Sequence, residues 1–407
     1  MSGVAFTADS PVEAARQKPP VKLLVLFGIL GPLTIHLIMP SLPNMQQEFA
    51  TDYATVQLLI SLYVIALGAA QLFVGPMADI LGRRRVLIGG LTLYTVASAL
   101  CAFAPGFEVL LGLRILQAIG ACTGAVLARA IIRDHYDESQ STRVMGYLAM
   151  GMAVGPMLAP LLGGILFEIV GWRGLFAALA AMGVASFAFA WKFIGNSGQI
   201  RHGQNRLRRL FADITVLLRN TRFILYAANI CFHTGMFYAF IAGGPYLASV
   251  FLGMTPKVYG AWFATAALGY AGGNFLAGRL IALVRSETLV LFGAIGTFTF
   301  TLMLFLVLMA GIHMPLAIFG PVALATFSSG FVMPTSYSGS LSIDPSLAGS
   351  ASGFVGFLQF SFAGILSTLA SIAIEVFDTP VALGAVMTFA AGIGLLTSAA
   401  VAATKRV

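Results

Sequence analysis

Twelve long apolar stretches, separated by short polar segments, constrain this 407-residue chain more than any other feature. A helix needs about 20 apolar residues to cross a bilayer, and each stretch is long enough for that. We place the predicted spans at 22–43, 55–77, 86–104, 107–130, 143–167, 173–194, 223–251, 257–280, 288–310, 315–340, 349–375 and 380–402. With 58% hydrophobic and 9% charged residues, a water-soluble globular protein is excluded. The sequence predicts an all-α polytopic membrane protein.

The basic residues are distributed unequally between the two sides of the predicted bundle. Twenty of the 23 Lys and Arg residues fall on one side, only Arg173 and Lys257 fall on the other, and Arg114 lies within a span. Positive residues mark the cytoplasmic side of membrane proteins. Both termini are therefore predicted to be cytoplasmic. The net charge of +8 reflects membrane orientation, and we expect no nucleic-acid partner.

The longest polar interruption is basic and separates six spans from six. The predicted parts of the chain are a cytoplasmic tail at 1–20, a six-helix half at 21–194, a basic cytoplasmic linker at 195–222, a second six-helix half at 223–402 and a cytoplasmic tail at 403–407. We predict that the tail at 1–20, which is rich in proline and mixed charge, is disordered and is not a cleaved signal peptide.

A short polar loop between the second and third stretches has the pattern G-x-x-x-D-x-x-G-R-R, formed by Gly75, Asp79, Gly82, Arg83 and Arg84. Arginines enter lipid only at high cost, so the loop lies at a membrane surface. The pattern resembles the cytoplasmic signature loop of the major facilitator superfamily of secondary transporters. The resemblance implies twelve helices in two six-helix halves that move by alternating access. It also implies that Asp79 and the arginines help to hold the cytoplasmic side closed in one state.

Two further motifs lie inside spans. Around Arg114 and Gln117, which share a helix face, the fourth span resembles the superfamily motif L-x-x-R-x-x-Q-G-x-G. An arginine at this depth faces either a wet cavity or a buried partner. Arg114 is thus either a cavity cation that influences a proton or substrate site, or a fixed brace between helices. The fifth span resembles the G-x-x-x-G-P-x-x-G-G motif of drug:proton antiporters, in which glycines allow close helix contact and prolines bend the helix. Its residues here are Gly155, Pro156, Pro160, Gly163 and Gly164.

The first span carries His36 four residues before Pro40. This segment resembles that of bicyclomycin-resistance-type and chloramphenicol exporters, which have an acidic residue at the position of His36. All fifteen acidic residues of this chain lie in the tail, in loops or near span ends. We predict that His36 is the proton-coupling group, because an imidazole with an ordinary pKa of about 6.5 changes charge readily. The alternative is a neutral histidine that only hydrogen-bonds to a neighbouring helix.

Aromatic rings with a few polar groups suit amphiphilic small molecules. On that basis the candidate substrate contacts are Tyr63, Gln71, Asn229, Phe232, His233, Tyr238, Trp262 and Gln359. For each of these residues, ordinary packing between helices is the alternative interpretation.

Several kinds of chemistry have no signature in the sequence. It has no Walker loop for ATP, no paired zinc histidines and no serine nucleophile elbow. Cys101, Cys122 and Cys231 lie within apolar runs and have no paired spacing. We therefore expect no enzymatic activity, no cofactor and no metal.

Together these features predict a secondary active transporter of a bacterial inner membrane that exports small amphiphilic molecules, such as drugs, by proton antiport. Its expected partners are the small-molecule substrate, protons and the lipid bilayer, and the resemblance implies a monomer. Three alternatives remain open: a dedicated exporter of a metabolite, siderophore or self-made antibiotic; a transporter not coupled to protons; and a membrane scaffold or sensor that transports nothing.

Overall fold

The computed structural model describes residues 19–194, 206–281, 283–344 and 347–404. Within these ranges the chain forms helices and no strands, as predicted. The predictions made for 1–18, for the linker residues 195–205 and for 405–407 lie outside the described residues.

Thirteen α-helices follow one another in the described part of the chain. They are α1 (Val21–Ile38), α2 (Leu42–Glu48), α3 (Tyr53–Leu81), α4 (Arg83–Ala102), α5 (Phe107–His135), α6 (Glu138–Phe193), α7 (Arg206–Leu218), α8 (Thr221–Tyr246), α9 (Pro256–Leu280), α10 (Ser286–Met309), α11 (Pro315–Leu341), α12 (Ala348–Phe377) and α13 (Val381–Ala403). A 3₁₀ turn, Met39–Ser41, joins α1 to α2, and a π-helical turn, Leu247–Phe251, follows α8.

These helices account for the twelve predicted spans. Ten helical segments of the described residues are long and apolar enough to cross a membrane, with α1 and α2 counted together. One of the ten lies in α6, where non-helical backbone at Gly171, with φ 68° and ψ −179°, separates two arms that match the predicted fifth and sixth spans. The remaining span is α9, whose 25 residues extend about 37 Å at 1.5 Å per residue.

The turn between α3 and α4 requires a glycine. Gly82 is the single residue between the two helices, and its φ of 91° with ψ of 138° is a conformation that side chains with a Cβ atom rarely adopt. The chain therefore reverses direction at one residue. This sharp reversal places Arg83 and Arg84 in the first turn of α4.

The same helix pairs pack together in both halves of the molecule, six spans apart. In the first half α1 packs on α5 and α6, and α4 packs on α5; in the second half α8 packs on α11 and α12, and α10 packs on α11. Across the halves, α3 packs on α12 and α6 packs on α9. Two matching sets of six helices thus meet along these two contacts and enclose a space between them.

Helix α7 is the described part of the predicted linker. Its 13 residues extend only about 20 Å, and its polar and apolar residues lie on opposite faces. It packs on α8 and α12, and Ser350 at the start of α12 donates a 2.6 Å hydrogen bond to the Asp213 carboxylate. We call this end of the bundle the linker side and the opposite end the far side. Because successive spans alternate in direction, α1, α4, α6, α8, α10 and α12 begin on the linker side.

Candidate functional site

A cavity of about 310 Å³ lies between the two halves. Eight helices contribute to its wall: α1, α3, α5 and α6 from the first half, and α8, α9, α11 and α12 from the second. The wall residues with polar or ionisable side chains are His36, Gln71, Cys122, Arg129, His233, Thr234, Tyr238, Tyr270, Thr326, Ser329, Tyr337, Ser352 and Gln359. Apolar side chains such as Ile35, Leu67 and Phe360 form the remainder. The cavity is therefore an amphiphilic chamber.

The far side of the bundle is closed by hydrogen bonds between the halves. Tyr53 and Gln57, in the first two turns of α3, both donate to the carbonyl of Ala242 in α8, over 2.6 and 2.7 Å. The ring of Tyr53 also packs on that of Tyr246, with 4.7 Å between centroids. These groups are buried, so the contact seals the space between α3 and α8.

Two carboxylates fix the start of α3 at the same end. The amide of Ala54 donates a 2.9 Å hydrogen bond to Glu375 near the end of α12. Asp52 caps α3 by accepting hydrogen bonds from the backbone N–H and the hydroxyl of Thr55. The hydrogen bond from the backbone N–H lowers the pKa of the Asp52 carboxyl below its ordinary value. The far-side end of α3 is thus attached to the second half.

The glycines of the fifth-span motif lie where α6 touches other helices. A Cβ atom on Gly155 or Gly163 would overlap with Ile29 or Leu37 of α1. A Cβ on Gly164 would lie 2.6 Å from the carbonyl oxygen of Pro256, which begins α9. Pro160 takes part in the same contact, since its carbonyl would lie 2.6 Å from a Cβ on Gly260 of α9. Pro156 lies in the same stretch of α6.

Two histidines occupy the cavity wall at equivalent positions of the two halves. His36 is buried in α1, where its Nδ1 lies 2.7 Å from the carbonyl oxygen of Pro32 and its ring lies 6.0 Å from that of Phe263. A carbonyl only accepts, so Nδ1 carries the hydrogen in this geometry. Its Nε2 has no hydrogen-bond partner in the described part of the protein. Neutral His36 therefore presents a free acceptor.

His233 of α8 is the second of these histidines. Its Nδ1 lies 3.2 Å from the hydroxyl oxygen of Ser329 in α11, and among the described atoms its Nε2 also has no partner. His36 lies 15 residues into α1 and His233 12 residues into α8, which corresponds to depths of about 22 and 18 Å from the linker side. Both imidazoles therefore lie near the middle of the bundle.

Arg114 and Gln117 lie in the packing of the first half and do not line the cavity. The guanidinium donates to the carbonyl of Leu59 over 3.1 Å and to Oε1 of Gln117 over 2.6 Å, and Gln117 in turn donates to Ser98 over 2.7 Å. The Arg114 guanidinium also covers the ring of Tyr63 at 4.1 Å from its centroid. This network joins α3, α4 and α5. The arrangement matches the brace alternative given above, because the face shared by Arg114 and Gln117 is turned toward neighbouring helices.

The structure brings half of the candidate substrate contacts to the cavity. Gln71, His233, Tyr238 and Gln359 line it. The other four pack between helices: Tyr63 lies under Arg114, Asn229 donates to Ser398 over 2.8 Å, Phe232 packs edge-on against Phe362, and Trp262 stacks on Phe319.

Several wall residues escaped the sequence reasoning, and Arg129 is the main one. It lies six residues before the end of α5 and was counted only among the basic residues that orient the bundle. Cys122 and Ala125, seven and four residues earlier, also line the cavity and lie on the same helix face as Arg129. This spacing in the sequence could have indicated that Arg129 faces the cavity. The polar run 328–338 of the tenth predicted span, which we expect to border the cavity, does supply Ser329 and Tyr337, and the Tyr337 hydroxyl bonds to Gln359.

The signature-loop residues make their described contacts within the first half. Arg83 donates to the carbonyl of Ala130 over 2.5 Å and pairs with Asp134, both near the end of α5. Arg84 donates to the carbonyl of Ile194 over 2.6 Å. Gly75 has open space around its Cα, and Asp79 is also engaged by a neighbour. The loop thus ties α4 to α5 and to the end of α6 on the linker side.

Comparison with protein families identifies this architecture. The family model described as Major Facilitator Superfamily matches residues 24–368, most of the chain. The chain belongs to the Major Facilitator Superfamily. It is therefore a multi-pass membrane transporter of that superfamily, and the resemblance of its signature loop is confirmed.

Three curated relatives cover different shares of the chain. An uncharacterized MFS-type transporter, YdgK of Bacillus subtilis (strain 168), is 29% identical over 92% of this chain and 93% of its own length. A chloramphenicol resistance protein of Pseudomonas aeruginosa is 35% identical over 64% of this chain and 62% of its own. Multidrug resistance protein D of Escherichia coli (strain K12) is 28% identical over 86% of this chain and 88% of its own length. The superfamily transporter described here thus has relatives named for drug resistance.

A solved structure shares the fold. The crystal structure of a D-xylose-proton symporter superposes with a TM-score of 0.76 over 94% of this chain and 96% of that one, at 12% sequence identity. This likeness shows that the two proteins share a fold.

Proposed function

We propose that this transporter is a proton-coupled exporter that moves small amphiphilic molecules out of a bacterial cell, across the inner membrane, by alternating access. The observation that carries the proposal is the amphiphilic cavity between the halves, which Tyr53 and Gln57 close at the far side. The drug-resistance names of two relatives support export as the direction of transport. In this proposal, the two halves rock about the cavity and expose it to one side at a time.

The linker side faces the cytoplasm in this proposal, since most basic residues lie there. The moving units are residues 21–194 and 223–402, joined by the basic linker at 195–222, and a monomer in the lipid bilayer is the functional unit. The residues of the signature loop, among them Asp79, Arg83 and Arg84, hold the cytoplasmic ends in position. In the proposed cycle, the state that is closed on the far side takes up substrate from the cytoplasm.

His36 carries the proton in the proposed cycle. Its Nδ1–H is held by the Pro32 carbonyl, so a proton arriving from the far side binds at Nε2. The other titratable or charged groups in the wall are His233, Arg129 and Cys122, together with the tyrosines at 238, 270 and 337. No carboxylate of the described residues lines the cavity. Among these wall groups, an imidazole has the ordinary pKa closest to neutral pH, which makes His36 a candidate proton carrier.

Competition between proton and substrate for the Nε2 atom of His36 couples the transport of one to the transport of the other. The lone pair of Nε2 either holds a proton or accepts a hydrogen bond from an N–H or O–H of the substrate, and it cannot do both. A ligand shifts the balance between two conformations only by its difference in affinity for them. Proton and substrate therefore stabilise opposite-facing states in turn, and export follows inward proton flow.

The test is efflux from proteoliposomes with an imposed pH gradient, with chloramphenicol as the probe. Replacing His36 by Gln keeps a polar group of similar size but removes titration. We expect H36Q to transport at the rate that wild-type protein shows without a gradient. The matched control is H135Q, because His135 makes the same bond to the carbonyl four residues earlier, over 3.0 Å, and does not line the cavity. Gradient-driven efflux that is equal in H36Q and wild-type protein refutes the assignment of His36.

A transporter without proton coupling is the second candidate, favoured by the lack of a carboxylate in the described cavity wall. It predicts that wild-type flux is unchanged when the pH gradient is collapsed. The same proteoliposomes measure this, so one experiment separates the two candidates.

A further inference from the structure

The charges in the cavity wall have one sign. Arg129 is the single arginine that lines the cavity, and the described wall contains no lysine and no carboxylate. The two histidines add positive charge when they are protonated and none when they are neutral. The wall therefore offers electrostatic compensation to an anion and none to a cation.

Arg129 is an arginine of the cavity wall whose guanidinium has no partner among the described residues, unlike several arginines elsewhere in the bundle. Arg83 pairs with Asp134, Arg173 with Glu48 at 2.5 Å and Arg222 with Glu287 at 3.6 Å. Among the described residues, no ion pair or hydrogen bond engages the guanidinium of Arg129. Its N–H donors are free to bind a group that enters the cavity.

The depth of Arg129 in the bundle strengthens the attraction between its charge and an anion. It lies six residues before the end of α5, about 9 Å inside the linker-side end of that helix, and its side chain is half-buried. Charges at such a depth are screened less than surface charges, so an unpaired guanidinium there favours binding of an anion.

The remainder of the wall defines the body of the ligand. Apolar residues such as Ile35, Leu67 and Phe237 line the cavity together with its polar groups. At the deep end lie the two imidazoles, and among the described atoms the Nε2 of His36 has no hydrogen-bond partner. A complementary molecule has an anionic group, an apolar and preferably aromatic body, and a hydrogen-bond donor at the opposite end.

We propose that the cavity binds amphiphilic monoanions, with the anionic group on Arg129 and the apolar body extending toward His36 and His233. This assignment names the substrate class of the exporter and rests on the proposed function for its biological meaning. It selects against lipophilic cations, because the described part of the wall contains an arginine and no carboxylate.

Three probes with one ring system and three charges test the proposal: 2-naphthoate, 2-naphthamide and (2-naphthyl)methylammonium. Equilibrium dialysis with purified protein in nanodiscs of phosphatidylcholine alone measures their affinity without requiring transport. A charge-assisted contact is worth roughly tenfold to a hundredfold in affinity. We expect wild-type protein to bind naphthoate at least about tenfold more tightly than the amide, and the ammonium most weakly.

Variants at position 129 test whether Arg129 causes the preference for naphthoate over naphthamide. R129Q is expected to bind naphthoate and naphthamide equally, and R129K is expected to keep most of the preference. The matched control is R279Q on α9, because Arg279 lies outside the cavity wall and packs on the ring of Phe275 at 4.5 Å. Size-exclusion profiles confirm that the variants fold.

Three results overturn the assignment. The first is a wild-type affinity for naphthoate no higher than for the amide, including no binding of either. The second is an R129Q variant that keeps the preference. The third is a preference that disappears when a small fraction of anionic lipid is added to the nanodiscs, which identifies a lipid headgroup as the anion that Arg129 binds. Failure of pH-driven efflux of both chloramphenicol and 2-naphthoate, with an intact charge preference in binding, refutes the proposed function and leaves this assignment standing.

Discussion

The contact between α6 and α9 at the far side provides a quantitative prediction. Gly260 lies against the backbone of the fifth-span motif, and a Cβ there would be 2.6 Å from the carbonyl oxygen of Pro160 and 2.8 Å from Cα of Leu161. Ordinary van der Waals contact begins at 3.4 Å, so Gly260→Ala forces the two helices apart by about 0.8 Å (3.4 − 2.6). The obstacle is backbone, which cannot rotate away.

This strain applies only while the far side is closed. Overpacking of this kind costs typically about 1 to 3 kcal/mol. If the open state carries none of that cost, the closed-to-open ratio falls by roughly 5- to 150-fold. We therefore expect Gly260→Ala to move the transporter toward the state that is open at the far side.

Distances between spin labels at positions 47 and 250 measure this shift, because Gln47 and Val250 are exposed at the far side on opposite halves. We expect a longer distance to gain population in Gly260→Ala. Gly278→Ala is the matched control, since Gly278 lies on the same helix and has nothing within 4 Å. An unchanged distance distribution in Gly260→Ala, or the same shift in Gly278→Ala, refutes the reasoning.

Two further predictions concern stability in detergent, measured by the midpoint of thermal unfolding. Arg114→Leu leaves Oε1 of Gln117 and the carbonyl of Leu59 without their buried donor, so we expect the free energy of unfolding to fall by about 2 to 4 kcal/mol; melting at the wild-type temperature would show that the network contributes nothing. Gly82→Ala places a Cβ at a φ of 91° and is expected to cost about 1 kcal/mol, whereas Gly75→Ala, with open space around it, is expected to melt like wild-type protein. Equal melting of the two glycine variants contradicts the second prediction.

Hydropathy predicts the spans of this protein well because lipid imposes a requirement on every segment separately. A chain segment in hydrocarbon must satisfy its own backbone hydrogen bonds and expose apolar side chains, so each span is visible in the local sequence. The predicted fifth and sixth spans fall on the two arms of α6, and the break lies at Gly171, between the predicted ranges. The signature loop was found in the same way, since its glycines and arginines are adjacent in the chain.

The site was predicted less completely, because the direction in which a side chain points depends on how helices rotate against one another. Sequence reasoning gave both histidines and two glutamines of the wall, since buried polar residues in a span are few. It did not distinguish Tyr63 and Trp262, which pack between helices, from Tyr238, which faces the cavity. All three are aromatic residues within spans, and nothing in their local sequence differs in a way that sets orientation.

The sequence by itself determined the helices and their order, because lipid acts on each segment independently of the others. The tertiary structure alone decided which arginine is available to a ligand. Arg114, deep in a span, is enclosed by Gln117 and Tyr63, whereas Arg129, near a helix end, lies unpaired in the cavity wall. The physical reason is that partners of a buried charge come from other helices, and only the packing of all twelve spans determines which residues meet.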